Sequence, residues 1–371
     1  MFFNRIALFI LSLIAFLATP LKAINPPDST RRPVDSVKHE NKYLLIPVAV
    51  RSPVTRWGGG LAASYLFKYS KKDTVSRTSN FEFLGLYTEN KQTVLVLGCN
   101  IYSPNENYIL RWRNSFSRFP DKFWGLGNKT PFANEESYIY SQFLVNPQLL
   151  RKITRKFYAG LFYELQRVYK VSYLQGGLFD QENIEGRNGS TVSGLGVILA
   201  WDSRNGAFSP NKGFFAQLSS VVFDKAIFSA SNFVTYIADV RKFVPVFQNH
   251  VLGFQFLGYF NQGTAPIRNL AMLGGSDIMR GYYAGRFRDN HMMACQMEYR
   301  APLFWRLGVV AFAGAGRVAG KISEFSFDGI KYSMGSGLRL ALKPKEKLNL
   351  RIDYGFGNHS QGLYVTVGES F

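Results

Sequence analysis

The stretch at residues 347–356, KLNLRIDYGF, decides the fold because its side chains alternate between apolar and polar. A repeat of two residues is typical of a β-strand with one apolar face. This alternation fits both a soluble β-sandwich and a membrane barrel, so it does not choose between them. The apolar face holds Leu348, Leu350, Ile352, Tyr354 and Phe356, and the opposite face holds Asn349, Arg351, Asp353 and Gly355.

The same alternation continues to the last residue of the sequence. Leu363, Val365, Val367 and Phe371 fall on the apolar face, and Glu369 is the exception on that side. The pattern therefore predicts that Phe371 lies on the outer, apolar face of a closing strand.

The number of strands and the lengths of their connections favour a membrane barrel. About 16 runs of strand character are present, an even number as in bacterial barrels. If the first strand rises from the periplasm, the long connections fall on the outer side and the short ones on the inner side, apart from residues 70–78. We therefore predict an all-β, transmembrane antiparallel β-barrel of about 16 strands. The long connections are residues 120–136, 171–190, 263–290 and 317–330, and the short ones are 103–106, 151–156, 302–305 and 343–346. The runs begin near Tyr43, Gly58, Ser79, Gln92, Asn107, Ser137, Phe157, Thr191, Gly213, Ser231, Gln248, His291, Arg306, Lys331, Lys347 and Gly362.

The beginning of the sequence predicts export. Residues 1–23 combine one positive charge, an apolar run and a small residue at Ala23, which is the layout of a signal peptide. Residues 24–41 are rich in proline and charge, and we interpret them as a short periplasmic linker. Residues 42–371 are then the barrel, in the outer membrane of a bacterial cell.

Composition excludes several kinds of function. The formal charge of +19 favours an anionic partner, and in this compartment lipopolysaccharide is a better candidate than nucleic acid. The sequence contains 2 Cys, at positions 99 and 295, and 4 His, and their spacing predicts no disulfide framework and no metal site. Arg111 and Arg113 share one face of a strand and predict a basic lumen wall. We expect no enzyme and no cofactor.

Several motifs together resemble one family. Residues 273–282, LGGSDIMRGY, and residues 297–303, MEYRAPL, resemble a loop and the following strand of the BamA/TamA-like outer-membrane insertase superfamily, also called bacterial surface antigen barrels. Residues 123–128, FWGLGN, are similar to one of its outer loops. A mid-barrel turn of the family is matched by Trp201, Asp202, Ser203, Arg204 and Asn205, followed by Phe208, Pro210 and Gly213. Phe371 matches the terminal aromatic residue by which such barrels are recognised during assembly.

The resemblance implies that the long loop between strands 11 and 12, the sixth outer loop, folds into the lumen. Its Arg280-Gly281-Tyr282 motif would then be fixed by acidic residues on the inner wall. Glu298 is the matching partner of Arg280, and alternation places it on the polar face. The next strand has Gly314 where the family usually has an acid, so Asp353 is the other candidate.

The resemblance also implies a function and partners. Members assist assembly, insertion or translocation of proteins at the outer membrane, by lateral opening between the first and last strands. They typically carry POTRA domains, and residues 24–41 are too short for one, so a separate periplasmic protein would replace them. Outer-membrane lipid and the assembly machinery are the other expected partners. A passive pore plugged by the sixth loop and a docking barrel for a periplasmic protein remain open.

Overall fold

The protein is represented by a computed structural model that describes residues 42–69, 76–206, 209–343 and 348–371. The predicted signal peptide at 1–23 and the linker at 24–41 lie outside the described residues. So do most of the connection at 70–78, the turn at 344–346, and Phe208 of the turn motif. No helix of the described residues is long and apolar enough to cross a membrane.

The described chain forms a closed antiparallel barrel of 16 strands, as predicted from the sequence. Consecutive barrel strands are neighbours throughout, and β12 and β13 form a separate hairpin inside one loop. The strands are β1 Lys42–Ser52, β2 Arg56–Phe67, β3 Ser79–Thr88, β4 Thr93–Tyr102, β5 Tyr108–Phe123, β6 Glu136–Lys152, β7 Phe157–Ser172, β8 Ser190–Asp202, β9 Gly213–Phe223, β10 Phe233–Phe247, β11 His250–Gly263, β12 Ala271–Leu273, β13 Phe287–Asp289, β14 His291–Pro302, β15 Leu307–Ala319, β16 Lys331–Lys343, β17 Leu348–Gly357 and β18 Ser360–Val367.

Short helical turns lie in the connections. One is an α-helical turn, Leu178–Gln181, and the others are 3₁₀ turns at Pro104–Glu106, Phe132–Asn134, Lys225–Ile227, Ile267–Asn269 and Ile322–Glu324.

The predicted strand starts agree closely with the observed ones. For example, a start was predicted near Gly58 and β2 begins at Arg56, and a start was predicted near His291, where β14 begins. The third outer loop, between β5 and β6, was predicted at residues 120–136 and is shorter than predicted because β5 continues to Phe123.

Residue exposure separates an outer face from an inner face. On β14, Cys295 and Met297 are exposed, whereas Gln296 and Glu298 are buried. The outer face of β8 is likewise apolar and exposed at Leu195, Val197 and Leu199. An apolar band outside a closed barrel suits a lipid environment, where every backbone group must be paired within the sheet.

The seam between the first and last strands is the exception to continuous pairing. Within the described chain, β1 and β18 are in register at one position, Arg51 opposite Val365. On its other side β1 pairs with β2 along its whole length, from Lys42 opposite Leu66 to Ser52 opposite Arg56. In the described chain, residues 42–50 of β1 therefore have no paired residue on β18.

The prediction that Phe371 faces outward is wrong. β18 ends at Val367, and Gly368 has a positive φ of 96°, so the alternation stops there and the chain turns inward. Phe371 is buried against Phe243 and Val251 on the inner wall. Glu369, the exception on the apolar side in the sequence, is also turned inward and is therefore not exposed to lipid.

Candidate functional site: an ionic cluster between loop 6 and the barrel wall

We define loop 6 as residues 264–290, the connection between β11 and β14. Its hairpin pairs Ala271 with Asp289 and Leu273 with Phe287. The apolar side chains of this hairpin and of the loop tip pack against inner-wall residues of β14 and β15. The cluster contains Ala271, Leu273, Met279, Tyr282, Phe287, Met292, Ala294 and Val318. Loop 6 thus has a hydrophobic contact with the wall in addition to its polar ones.

Arg280 is the centre of the polar contacts. Its Nη2 lies 2.6 Å from Glu298 Oε2, and its Nη1 lies 2.5 Å from Asp353 Oδ2. All three side chains are fully buried, and the guanidinium carbon lies 3.5 Å from the centroid of the Phe312 ring. Charge-assisted hydrogen bonds to two carboxylates offset the large cost of burying a guanidinium.

Further arginines surround the same two carboxylates. Arg300 Nε lies 2.8 Å from Glu298 Oε1, and Arg339 Nη1 donates a hydrogen bond to Asp353 Oδ1. Arg351 Nε lies 3.6 Å from Asp353 Oδ2. Positive charge exceeds negative charge around these two acids, so removing either acid would increase the unbalanced positive charge that is buried in the cluster.

Gly281 and Tyr282 fix the backbone of the loop tip. Gly281 has φ 115°, and a Cβ there would lie 2.5 Å from the carbonyl carbon of Phe356, so only glycine fits. Its N–H donates to Tyr364 Oη at 2.9 Å. Tyr282 Oη donates to the Tyr332 carbonyl at 3.0 Å. The loop tip is therefore held by β16, β17 and β18 as well as by Arg280.

Gly314 lies where the resemblance implies an acid. A Cβ at Gly314 would lie 3.1 Å from Met279 Sδ and 3.2 Å from Ser333 Oγ, so loop 6 itself occupies the space. Asp353 approaches Arg280 from β17 instead. The structure thus brings Arg280 together with both acids that the sequence indicated.

A second ionic cluster holds loop 6 to strands β5 and β6. Asp121 Oδ2 lies 2.8 Å from Arg288 Nη2 and 3.0 Å from Arg268 Nη1, and it accepts a hydrogen bond from Tyr138 Oη at 2.9 Å. Arg268 and Arg288 lie near opposite ends of loop 6. No pattern in the sequence indicated Asp121, because it falls in a predicted loop.

The FWGLGN segment at 123–128 docks on loop 6. Gly127 N–H donates to the Arg288 carbonyl at 2.8 Å. Arg286 lies over the rings of Trp124 and Phe132, at 4.9 and 4.3 Å from their centroids. Burial among these groups lowers the pKa of Arg286 to about 10. The third and sixth outer loops therefore support each other.

The predicted turn motif lies in the connection between β8 and β9. Arg204 Nε and Nη2 both lie 2.9 Å from the Asp202 carboxylate, a bidentate pair. Pro210 is buried. Gly213 has φ 119°, and a Cβ there would lie 2.4 Å from the Ser203 carbonyl oxygen. The connection at 203–212 is longer than the inner-turn rule predicts.

The chain after β18 contacts the arginines and the acid of the Arg280 cluster. Glu369 accepts hydrogen bonds from Arg339 Nε and Asn349 Nδ2, each at 2.7 Å. Ser370 Oγ donates to Glu298 Oε2 at 3.3 Å, and Arg300 Nη2 donates to the main-chain oxygen of Phe371 at 3.1 Å. We call residues 368–371 the tail.

A cavity of about 530 Å³ lies against strands β3 to β11, away from the Arg280 cluster. Arg111 and Arg113 line it, as do Glu82 and Glu164. Its wall therefore carries both signs of charge and is not simply basic.

Among the described residues no group of three or more His, Cys, Asp or Glu side chains could hold a metal ion, and Cys99 and Cys295 are free thiols.

A closed barrel of 16 antiparallel strands with an apolar outer band and a long loop fixed to its inner wall defines an outer-membrane β-barrel protein. The Omp85 superfamily domain matches residues 60–371. The chain belongs to this superfamily, as the motifs around Arg280 predicted.

Solved structures share this fold at low sequence identity. A BamA from Haemophilus ducreyi lacking POTRA domains 1–3 superposes with a TM-score of 0.59 at 12% identity, over 89% of this chain and 70% of that one. CdiB from Acinetobacter baumannii gives 0.58 at 12% identity, over 89% and 59%. CdiB from Escherichia coli gives 0.59 at 10% identity, over 88% and 62%. No curated protein matches the sequence.

Proposed function

We propose that this barrel assists the assembly, insertion or translocation of proteins at the outer membrane by opening laterally between β1 and β18. The observation that carries the proposal is the seam, where the two strands are in register only at Arg51 and Val365 in the described chain. Other neighbouring strands pair over most of their lengths, for example β14 and β15 from His291–Ala319 to Pro302–Gly308.

The seam is the place where the barrel opens most easily. Each backbone hydrogen bond contributes about 0.5 to 1.5 kcal/mol, so parting two extensively paired strands costs far more than parting a seam with one registered position. An unpaired strand edge is also a template for another extended chain. The free edge of β1 is therefore suited to pair with a strand of a substrate.

Expected partners follow from the location and the family. Outer-membrane lipid surrounds the apolar band, and lipopolysaccharide is a candidate ligand for positive charge on the outer loops. The outer-membrane assembly machinery and a separate periplasmic protein would deliver or dock substrates. We propose that the barrel acts without a catalytic residue or cofactor, through strand pairing alone.

Depletion of the protein tests this proposal. Levels of other outer-membrane proteins should fall when the protein is depleted, and wild-type protein supplied from a plasmid should restore them. Outer-membrane lipid asymmetry should be measured in parallel, as a control for general envelope damage. Unchanged levels of every other outer-membrane protein in the depleted cells would contradict the proposal.

A passive pore is a second candidate because the lumen has an open part. The cavity of about 530 Å³ is lined by Arg111, Arg113 and Glu164, and loop 6 fills the opposite side. Under this alternative, loop 6 is a plug. Conductance of the purified protein in planar bilayers should then rise markedly in Arg280→Ala, while depletion should leave other outer-membrane proteins unchanged.

A further inference from the structure

Two arginines lie near the outer ends of strands β5 and β7. Arg118 on β5 and Arg167 on β7 are both exposed, and each is the eleventh residue of a 16-residue strand that begins at the periplasmic end. A barrel strand crosses the hydrocarbon core in about 9 to 11 residues. Both arginines therefore lie where the apolar band meets the outer headgroups.

The strand register shows that both arginines face lipid. Arg118 is opposite Thr93 on β4, and Thr93 shares its face with the exposed Leu95. Arg167 is opposite Phe143 on β6, an exposed residue of the apolar band. Residues directly opposite each other in an antiparallel pair project from the same side of the sheet. Neither arginine is among the residues that line the lumen cavity.

The two arginines are close enough to contact one ligand. Arg118 is opposite Ser141 on β6, and Arg167 is opposite Phe143, two residues away on the same strand. With strands about 4.8 Å apart and residues spaced by about 3.4 Å, the backbones of the two arginines are about 12 Å apart. Ser141 faces the same side and is only 5% exposed, so larger neighbouring side chains cover it.

An aromatic belt marks the same level of the barrel. Tyr87, Thr93, Arg118, Ser141 and Tyr169 are opposite one another in turn, on the five strands from β3 to β7. Tyrosine is enriched where the membrane meets water, because its ring is apolar and its hydroxyl is polar. The tyrosines at both ends of this row therefore indicate the headgroup level independently of the residue count.

Neither arginine has a carboxylate partner. Among the described residues, neither Arg118 nor Arg167 forms a salt bridge. The outward-facing positions of β5, β6 and β7 contain no Asp or Glu. The guanidinium of Arg167 lies 5.7 Å from the ring centroid of Tyr169, which is nearer the outer end of the strand, so the charge points away from the hydrocarbon. Because an unpaired charge beside lipid is costly, a negative group of the surrounding lipid is the fitting partner.

We propose that Arg118 and Arg167 form a binding site for the phosphate groups of lipopolysaccharide in the outer leaflet. A guanidinium binds a phosphate through two parallel hydrogen bonds. The acyl chains of the same lipid would pack on the apolar band below, at Leu95 and Phe143. The site lies on the lipid-facing wall of the barrel, and the outer loops do not contribute to it.

This site depends on the outer-membrane location and not on the proposed role in assembly. Lipid binding is measured on purified protein, whereas lateral opening is measured through the levels of other outer-membrane proteins. Either proposal can therefore fail while the other holds.

Titration of purified, delipidated protein with bisphosphorylated lipid A tests the site. Native mass spectrometry in detergent gives the fraction of barrels that carry one lipid. We expect Arg118→Gln combined with Arg167→Gln to weaken this binding by roughly tenfold or more, because each arginine loses its attraction to the anionic lipid. An affinity equal to that of the native protein would overturn the site.

Heat-modifiable gel migration establishes that each variant is folded. If the double variant does not fold, the single variants Arg118→Gln and Arg167→Gln decide, and each should weaken binding by roughly threefold or more. Native affinity in both folded single variants would equally overturn the site.

Arg151→Gln is the matched control. Arg151 is exposed, faces outward on β6 and is opposite Tyr108, but it lies at the periplasmic end of the strand. Its replacement removes the same charge and should leave the affinity for lipid A unchanged. A loss equal to that of the double variant would show that binding follows the net charge alone, and would contradict a site at Arg118 and Arg167.

Two further lipids identify the source of the phosphate. Lipid A without its phosphate groups should bind native protein no more tightly than bisphosphorylated lipid A binds the double variant. Phosphatidylglycerol in the same detergent should bind more weakly than bisphosphorylated lipid A, and its affinity should change little in the double variant. Phosphatidylglycerol binding that is as tight as that of lipid A, and as dependent on the two arginines, would contradict the assignment to lipopolysaccharide.

Discussion

Arg280 and Glu298 form a salt bridge at 2.6 Å in which both side chains are completely buried. The pair joins a loop to the barrel wall across 18 residues of sequence. Asp353 completes the site from β17, at 2.5 Å from the other terminal nitrogen of Arg280. Because an unpaired buried charge is expensive, this contact gives loop 6 one strongly favoured position on the inner wall.

Replacing either member of this pair should loosen loop 6. We expect Arg280→Ala and Glu298→Ala each to lower the free energy of unfolding by roughly 3 to 5 kcal/mol, because each breaks the fully buried ion pair between Arg280 and Glu298. The double variant should be little worse than either single variant. Denaturant titration in detergent and protease cleavage between Gly274 and Asn290 measure these effects. Fully additive losses would show that the two residues act separately.

Gly314→Asp should destabilise the loop and not tighten it. Met279 Sδ and Ser333 Oγ already fill the space that the new side chain needs, and Asp353 already binds Arg280. Protease should therefore cleave loop 6 faster in Gly314→Asp than in the native protein. Gly314→Ala is the matched control and should be close to native, since the flexible Met279 can yield. Protection of the loop in Gly314→Asp would disprove this account of the site.

Asp121→Asn should release both ends of loop 6 from β5. It removes the charge that pairs with Arg268 and Arg288, while the Arg280 cluster keeps all of its contacts. We expect faster protease cleavage near residues 264–270 and 285–290, with a loss of stability of roughly 3 kcal/mol or more. Glu135→Gln is a suitable control because Glu135 pairs with Lys122 at the surface, where salt bridges contribute about 0 to 1 kcal/mol. Equal cleavage in both variants would argue against the second cluster.

Deletion of Phe371 should reduce the yield of assembled barrel. The deletion removes a buried ring packed on Phe243 and Val251, and the resemblance implies that this residue is also recognised during assembly. Phe371→Leu separates the two effects, because it keeps an apolar side chain and removes the ring. Gel migration of unheated samples measures the folded fraction. Normal surface levels of the shortened chain would contradict the assigned importance of Phe371.

Most of the fold could be predicted from the sequence because the alternation of side chains is a local property. Strands such as β17 alternate at every position, and the start of β14 at His291 follows from the same pattern. The 16-stranded barrel was therefore predictable from the pattern, and the resemblance of the motifs around Arg280 indicated the superfamily. The inward direction of the tail was not predictable. Alternation predicts which side chains of a strand face outward or inward, but it does not predict the residue at which the strand ends. β18 ends at Val367, and the positive φ of Gly368 turns the chain before Phe371.

The site could be predicted in part for a related physical reason. Glu298 and Asp353 fall on the polar face of their strands, so their inward direction follows from the sequence, and the family resemblance adds Arg280. Asp121 was missed because β5 continues past its predicted end. Arg300 and Arg339 were missed as members of the cluster because contacts between distant strands depend on closure of the barrel.

A disulfide across the seam tests the central claim most directly. Arg51→Cys and Val365→Cys occupy the one registered position between β1 and β18, in a background with Cys99→Ser and Cys295→Ser. Native Cys295 with Ala315→Cys, a registered pair of β14 and β15, is the control, with Cys99→Ser. In depleted cells, the oxidised seam variant should fail to restore other outer-membrane proteins and should recover on reduction, while the oxidised control should restore them. Full restoration by a seam that is completely cross-linked would contradict lateral opening.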